Sequence, residues 1–150
     1  MMLLSRRSLL AIAAVVDIAL HARPTPVSAK SLAGRHNLPP RHLETVLQAL
    51  VRIGILKGVR GPRGGYELAR ERRRVTAGEI VRAAMTVTGE EGLTPLPESR
   101  LVDEVVGPLI QDATNAFLRT LDGVTVDDLC RQADERHVFG ELAMATDFTI

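Results

Sequence analysis

Four polar side chains recur three and four residues apart in one short stretch: Arg41, Thr45, Gln48 and Arg52. On a helix that spacing gathers them on one face. Arginine and glutamine offer multidentate hydrogen bonds, and threonine suits groove and backbone contacts. A second concentration follows in VRGPRGGY, residues 59–66, where Arg60 and Arg63 stand among three glycines. Guanidinium groups on a turn whose backbone can come close to a phosphate, or enter a narrow groove, have the chemistry of a polyanion reader. The one thiol, Cys130, is the third reactive group.

Other chemistry is poorly supplied. No nucleophile–base pair or carboxylate dyad stands out, so the sequence does not read as an enzyme. The Gly-rich stretch lacks the G-x-x-x-x-G-K-[ST] pattern and opens no helix, which argues against a phosphate loop. His21, His36, His42 and His137 contain no i, i+4 pair, and no metal site is expected. A single cysteine in 150 residues excludes an internal disulfide and any multi-cysteine metal site. Cys130 itself has two readings. One is a buried structural thiol; the other is a redox-sensing thiol whose pKa Arg131 or His137 lowers.

The elements that must carry the two basic groups can be read from periodicity and punctuation. Pro40 to Ile53 has an apolar stripe of Leu43, Val46, Leu47, Leu50 and Val51 opposite the polar one, and Gly54 ends it. Before it, Ser28 caps a short helix from Ala29 to His36, and Asn37 makes the turn. After it, Ile55 to Arg60 and Gly65 to Leu68 read as two strands around a turn at Gly61 to Gly64. Thr76 and Glu79 form a capping box on a further helix, and Thr86 to Pro97 reads as a loop. A long helical pattern runs from Glu98 to Leu121. Pro108 should kink or divide it. A last short helix follows Thr125.

The N-terminal segment SRRSLLAIAAVVDIALHA, residues 5–22, imitates an export signal, with a twin arginine and an apolar run. Asp17 interrupts that run, and the segment is too short to span a bilayer. Read as a helix, it puts Leu9, Ile12, Ala13, Val16 and Leu20 on the inward face and leaves Asp17 and His21 off it. Cleavage after Ala29 would remove this helix and the cap of the next one. It is therefore expected to be the first helix of a cytoplasmic protein, its arginines free to touch phosphate.

The net charge of +1 conceals an asymmetry: residues 1–75 hold 14 Lys and Arg against 4 Asp and Glu, and residues 76–150 hold 5 against 14. The basic half suits a polyanion. Hydrophobic residues make up 45% of the chain, but three Phe, one Tyr and no Trp leave an aliphatic core.

Helix, turn, helix and a basic-tipped hairpin make a winged helix-turn-helix, whose second helix fits a DNA major groove. The segment VSAKSLAGRHNLPPRHLETVLQALVRIGILKGVRGPRGGYELAR, residues 27–70, strongly resembles the bacterial Rrf-two family of transcription regulators. That family includes the iron–sulfur-cluster regulator and the nitrite-sensitive repressor. HLE (His42 to Glu44) and VRGPRGGY carry most of the likeness, which continues in VTAGEIVRAA and VTVDDL. The resemblance implies that Glu44 reads DNA in the major groove and Arg60 in the wing. The competing role for Glu44 is an ion pair with Arg41. Arg41 stands where the family commonly has serine, so the operator sequence does not carry over.

Cluster-binding relatives carry three cysteines in the loop and the start of the long helix. TVTGEEGLTPLPESRLVDE, residues 86–104, has none. Thiolates hold such clusters, so no cofactor is expected, and the resemblance is to the branch that answers to a protein or a small-molecule effector or has no known signal.

The expected fold is mainly α with a small β-hairpin. A winged helix-turn-helix covers residues 1–84, and residues 85–150 hold a loop, a long dimerisation helix and a C-terminal helix. The expected function is a dimeric, sequence-specific DNA-binding regulator, a repressor, on a pseudo-palindromic operator in double-stranded DNA, without membrane attachment. Arg41, Glu44, Thr45, Gln48, Arg52, Arg60 and Arg63 would contact DNA. Val102, Val106, Leu109, Ala113, Phe117 and Leu121 would form the homodimer interface, because one small domain could not bury so broad a face. The alternative is a non-catalytic protein-interaction module on the same fold, which would have no need for so basic a recognition face.

Overall fold

The computed structural model of the chain describes residues 4–87 and 99–139. Most of the expected loop lies outside the described residues, as does Glu98, the first residue of the expected long helix.

Six α-helices and one hairpin follow in order: α1 (Arg6–His21), α2 (Ala29–His36), α3 (Pro40–Ile53), β1 (Leu56–Val59), β2 (Gly65–Leu68), α4 (Ala77–Met85), α5 (Gly107–Asp122) and α6 (Val126–Glu135). Local chemistry sets most of the boundaries. The Ser28 hydroxyl accepts from the Ser31 N–H at the start of α2, and Asn37 leaves it in the left-handed conformation, φ 52°. Pro40 opens α3, where a missing N–H costs nothing, and Gly54 closes it. Full capping boxes start α4 (Thr76, Glu79) and α6 (Thr125, Asp128).

β1 and β2 pair antiparallel, with Leu56 opposite Leu68, Lys57 opposite Glu67, Gly58 opposite Tyr66 and Val59 opposite Gly65. Each strand end is within one residue of the expected one. Ile55 is not in the ladder because its N–H turns back to the Leu50 carbonyl and finishes α3.

The core is aliphatic. Val15 and Ile18 of α1, Leu32 of α2, Leu43, Val46, Leu47 and Leu50 of α3, and Ile80 of α4 are all fully buried together. Val126 and Cys130 of α6 join the same cluster. Thr125 also bridges to Thr76, so the two capped helix starts lie side by side. The chain after residue 84 thus leaves the core through α5 and returns to it through α6.

The expected inward face of α1 is corrected in part. Ile12, Val16 and Leu20 do pack, half-buried, against the core. Leu9 is 38% exposed and Ala13 is exposed, whereas Ser8, Ala11, Ala14, Val15, Asp17 and Ile18 are buried. Small residues on that face let α4 approach, and Asp17 is buried because it is fully partnered, as described below. Ahead of Pro108 the α-helical bonding is interrupted, as a proline requires, but the helical backbone is not divided. Helical backbone runs from 100 to 122, and residues Val102–Val106 form a π-turn in which the Gly107 N–H reaches the Val102 carbonyl. That extra residue per turn accommodates a proline that has no N–H to give.

Candidate nucleic-acid interface

α3 presents Arg41, Glu44, Thr45, Gln48 and Arg52 to solvent, all on the side opposite its buried Leu43, Val46, Leu47 and Leu50. Thr45 donates its hydroxyl to the Arg41 carbonyl at 3.3 Å. Among the described residues the ion pairs of this half of the molecule join Arg35 to Asp17, Lys57 to Glu67, Arg70 to Glu79 and Arg72 to Asp127. None takes Arg41, Arg52, Arg60 or Arg63, and Glu44 makes no ion pair with Arg41. Four guanidinium groups therefore remain uncommitted on one helix face and one hairpin tip.

The hairpin is held at its neck. Val27 pairs with Tyr66, N–H to carbonyl in both directions at 2.9 and 2.7 Å, which adds one rung beside β2. Gly65 permits this, since a Cβ there would stand 2.3 Å from the Val27 carbonyl oxygen. At the tip, Gly61 has φ 117°, a conformation that L-residues avoid, and its carbonyl accepts from the Gly64 N–H at 2.9 Å. Arg60 precedes that turn, Arg63 lies within it, and both are exposed. Burial pushes the Tyr66 phenol above its ordinary pKa, and the negative charge of Glu44 adds to the shift. α3 also packs directly against β1 of the hairpin.

A buried charge node fixes the helix pair behind that surface, and the sequence reading missed it. Asp17 of α1 has no exposed area. Its Oδ1 accepts from Arg35 at 2.6 Å and from His21 Nδ1 at 3.1 Å; its Oδ2 accepts from Arg35 Nε at 2.9 Å and from His36 Nε2 at 2.6 Å. Burial alone would raise this carboxyl's pKa. Hydrogen bonds from Arg35 and His36, with the charges of Arg35 and His21, outweigh it and hold the group below the usual carboxylate range. Phe139 stands edge-on to His21, ring centroids 4.7 Å apart. The signal was present in the sequence as an aspartate inside an apolar run with a histidine four residues on.

Of the twin arginine, Arg6 is exposed, but the Arg7 guanidinium reaches the Val87 carbonyl at 3.5 Å. Cys130 is fully buried. Burial raises its pKa, with Asp127 and Asp134 reinforcing the shift and Arg72 opposing it. Arg131 is turned to Asp127 and Asp128 instead. The geometry therefore gives no support to the redox reading, because a sensing thiol needs access and thiolate character.

On the long helix Leu101, Val105, Leu109 and Ile110 are 64, 59, 64 and 57% exposed, and Val106 39%. Ala113 is exposed; Val102, Phe117 and Leu121 are half-buried within the chain. Of the six residues expected at an interface, the middle three, Val106, Leu109 and Ala113, are thus open, and Val102, Phe117 and Leu121 are partly covered.

Residues 4–132 match the profile of the Rrf2 family, described as an iron-dependent transcriptional regulator. A Synechocystis sp. protein named as an HTH-type transcriptional regulator is 34% identical over 133 residues, covering 85% of this chain and 87% of that protein. The Bacillus subtilis HTH-type transcriptional regulator CymR is 29% identical over 120 residues, 80% of this chain and 83% of its own. Among solved structures, T. potens IscR superposes with a TM-score of 0.68 at 31% identity, covering 90% of each chain. The B. subtilis CymR structure gives 0.64 at 27%, covering 88% of this chain and 98% of that one.

The iron in the family description meets an unsuitable donor set here. The one cysteine is sealed in the core, and among the described residues no group of three His, Cys, Asp or Glu side chains could hold a metal ion. No described helix is long and apolar enough to cross a membrane. In the fold, the wing and the length of the match alike, this chain belongs to the Rrf2 family of DNA-binding transcriptional regulators.

Proposed function

We propose that this protein is a dimeric repressor that reads a pseudo-palindromic operator without an iron–sulfur cluster. The observation that carries the reading is the set of uncommitted guanidinium groups on the outer face of α3 and the hairpin tip. A folded protein does not gain stability from arginines left without partners; a polyanion supplies the missing charge. In this reading α3 enters the major groove. Arg41, Glu44 and Gln48 meet base edges there, and Thr45 offers its methyl to a thymine. Arg52, at the end of α3, holds a phosphate. Arg60 and Arg63 enter or clamp the neighbouring minor groove, where narrow width strengthens the negative potential.

Residues 1–84 then do the reading, and the long helix within residues 85–150 brings two copies together through Val102, Val106, Leu109, Ala113, Phe117 and Leu121. Val105 and Ile110 extend that apolar strip, which as a monomer would stay in water. Dimerisation places two recognition helices about one helical turn of DNA, or a multiple, apart. Repression follows if that operator overlaps a promoter. Nothing in the donor set supports cluster-based sensing, so the signal is an effector of another kind.

Footprinting of the purified protein on its own upstream region tests the reading. A protected site with two-fold symmetry is the expected result. Equal affinity for that site and for scrambled duplex at every salt concentration would reject it. Purification without oxygen, followed by absorption spectra and iron analysis, tests the missing cluster, and stoichiometric iron would overturn that part.

A further inference from the structure

A hollow of about 340 Å³ lies at the base of the wing, on the side of the hairpin away from its tip. Its size falls at the small end of the range for ligand sites. Ile18, Ala19 and Ala22 of α1 and Leu68 of β2 supply apolar wall. Six charged residues complete it: Arg23, Lys57, Glu67, Arg70, Glu71 and Arg72. Four of these already have partners. Lys57 pairs with Glu67 at 3.0 Å, Arg70 with Glu79 at 3.4 Å, and Arg72 with Asp127 at 2.8 Å. Among the described residues Arg23 and Glu71 have no side-chain hydrogen bond or ion pair. The hollow thus offers one open cation, one open carboxylate and an apolar surface.

The partner chemistry follows from that set. A carboxylate would meet Arg23, an ammonium would meet Glu71, and a small aliphatic group would lie on the half-buried Ala19, Ala22 and Leu68. We propose that this hollow binds a free α-amino acid with an aliphatic side chain, and that the bound amino acid acts as the effector. A plain organic anion would engage Arg23 alone and a plain amine Glu71 alone, whereas a zwitterion engages both.

Position supplies the coupling. Arg23 follows the end of α1, and Glu71 follows β2 after two residues. A ligand held by both ties the end of α1 to the base of the wing. Lys57 lies three residues before Arg60, about 10 Å along the strand, so the ligand touches no DNA-reading residue. It acts by holding the hairpin in one pose, which raises operator affinity by removing an ordering cost. The effector role rests on the proposed regulator function; the binding itself does not.

Titration calorimetry on the full chain without DNA tests the site. The probes are the free aliphatic amino acids, with isoamylamine and isocaproate as the leucine analogues that lack one charge each. Leucine or a close relative should bind, and both analogues should bind about tenfold more weakly or worse. Arg23→Gln and Glu71→Gln should each weaken amino-acid binding by a similar factor. Both residues are exposed, and unchanged circular dichroism and melting would confirm intact folding. No binding of any amino acid at millimolar concentration would overturn the proposal, as would equal binding by the variants. Fluorescence anisotropy on the operator then reads the coupling: the ligand should tighten wild-type binding several-fold and leave Glu71→Gln unmoved. Binding without any change in operator affinity would overturn the effector role, and absence of operator binding altogether would fault the regulator reading instead.

Discussion

Asp17 shows how one side chain can decide the pose of two helices. Its carboxylate takes four hydrogen bonds from three residues and joins α1 to α2, the helix that packs behind the recognition helix. Periodicity treats an aspartate as a solvated residue, and its main partners lie 18 and 19 positions away, so the node was not legible even though its components were. Asp17→Ala should destabilise the chain by about 3 kcal/mol, because it strands the Arg35 charge next to two histidines. The pH dependence has a definite sign. The folded pKa is depressed, so the contribution is complete above the unfolded value of about 3.9 and is lost as pH falls through the lower folded value. Urea midpoints measured from pH 7 downward should therefore fall steeply in acid, and Asp17→Asn should start lower and lose less. Identical acid limbs would show that other groups, such as the depressed Asp122 and Asp128, account for the whole effect. On the outer face the test residue is Arg60. If it reads a base edge or a narrow groove, Arg60→Ala should cost about 1–3 kcal/mol on the operator and relax specificity at one step per half-site. Anisotropy against single-substituted duplexes checks this.

At the level of elements, what the sequence disclosed best was whatever depends on neighbours within four residues. Ser28, Thr76 with Glu79, and Thr125 cap the helices they were expected to cap, and the stripe of α3 is buried as its spacing requires. The face of α1 was partly misjudged because that helix is apolar on most sides, and spacing alone could not rank Ala11 and Ala14 above Leu9. The π-turn ahead of Pro108 was not legible either, since a proline says where helical bonding must change but not how the backbone will absorb it. The extra rung beside β2, Val27 on Tyr66, joins segments nearly forty residues apart, which local pattern does not register. It makes a specific expectation possible. Gly65→Ala would force a Cβ against the Val27 carbonyl, so the wing must shift or the rung must open. The cost should be about 1–3 kcal/mol of stability. Operator affinity should fall by more than that of Gly58→Ala, where nothing stands within 4 Å. Equal affinities for the two variants would mean that the neck of the hairpin does not set its pose.

For the molecule as a whole, the basic and acidic halves of the chain are not two separate bodies, because α6 from the acidic half packs its Val126 and Cys130 into the common core. What leaves that core is the N-terminal part of the long helix, where Leu101, Val105, Leu109 and Ile110 are all more than half exposed. The sequence showed the breadth of this face but not which part of it α4 would cover. Phe117 is half-buried within its own chain, so Phe117→Asp would confuse dimer loss with unfolding. Leu109, 64% exposed, separates the two. Leu109→Asp should leave thermal stability near that of the wild type and convert a dimer into a monomer in sedimentation equilibrium at micromolar concentration. Each monomer would still hold one half-site, but the second would no longer be delivered at high effective concentration, so affinity for the full operator should fall about hundredfold. The salt dependence should change with it. A monomer makes half of the phosphate contacts, so the slope of log affinity against log salt should fall to about half. Arg52→Ala in the dimer should lower that slope by about two, one contact per half-site, and weaken scrambled and operator duplexes alike. A Leu109→Asp protein that stays dimeric, or a wild type that sediments as a monomer while binding its operator with full affinity, would show that the exposed strip on the long helix serves some other contact.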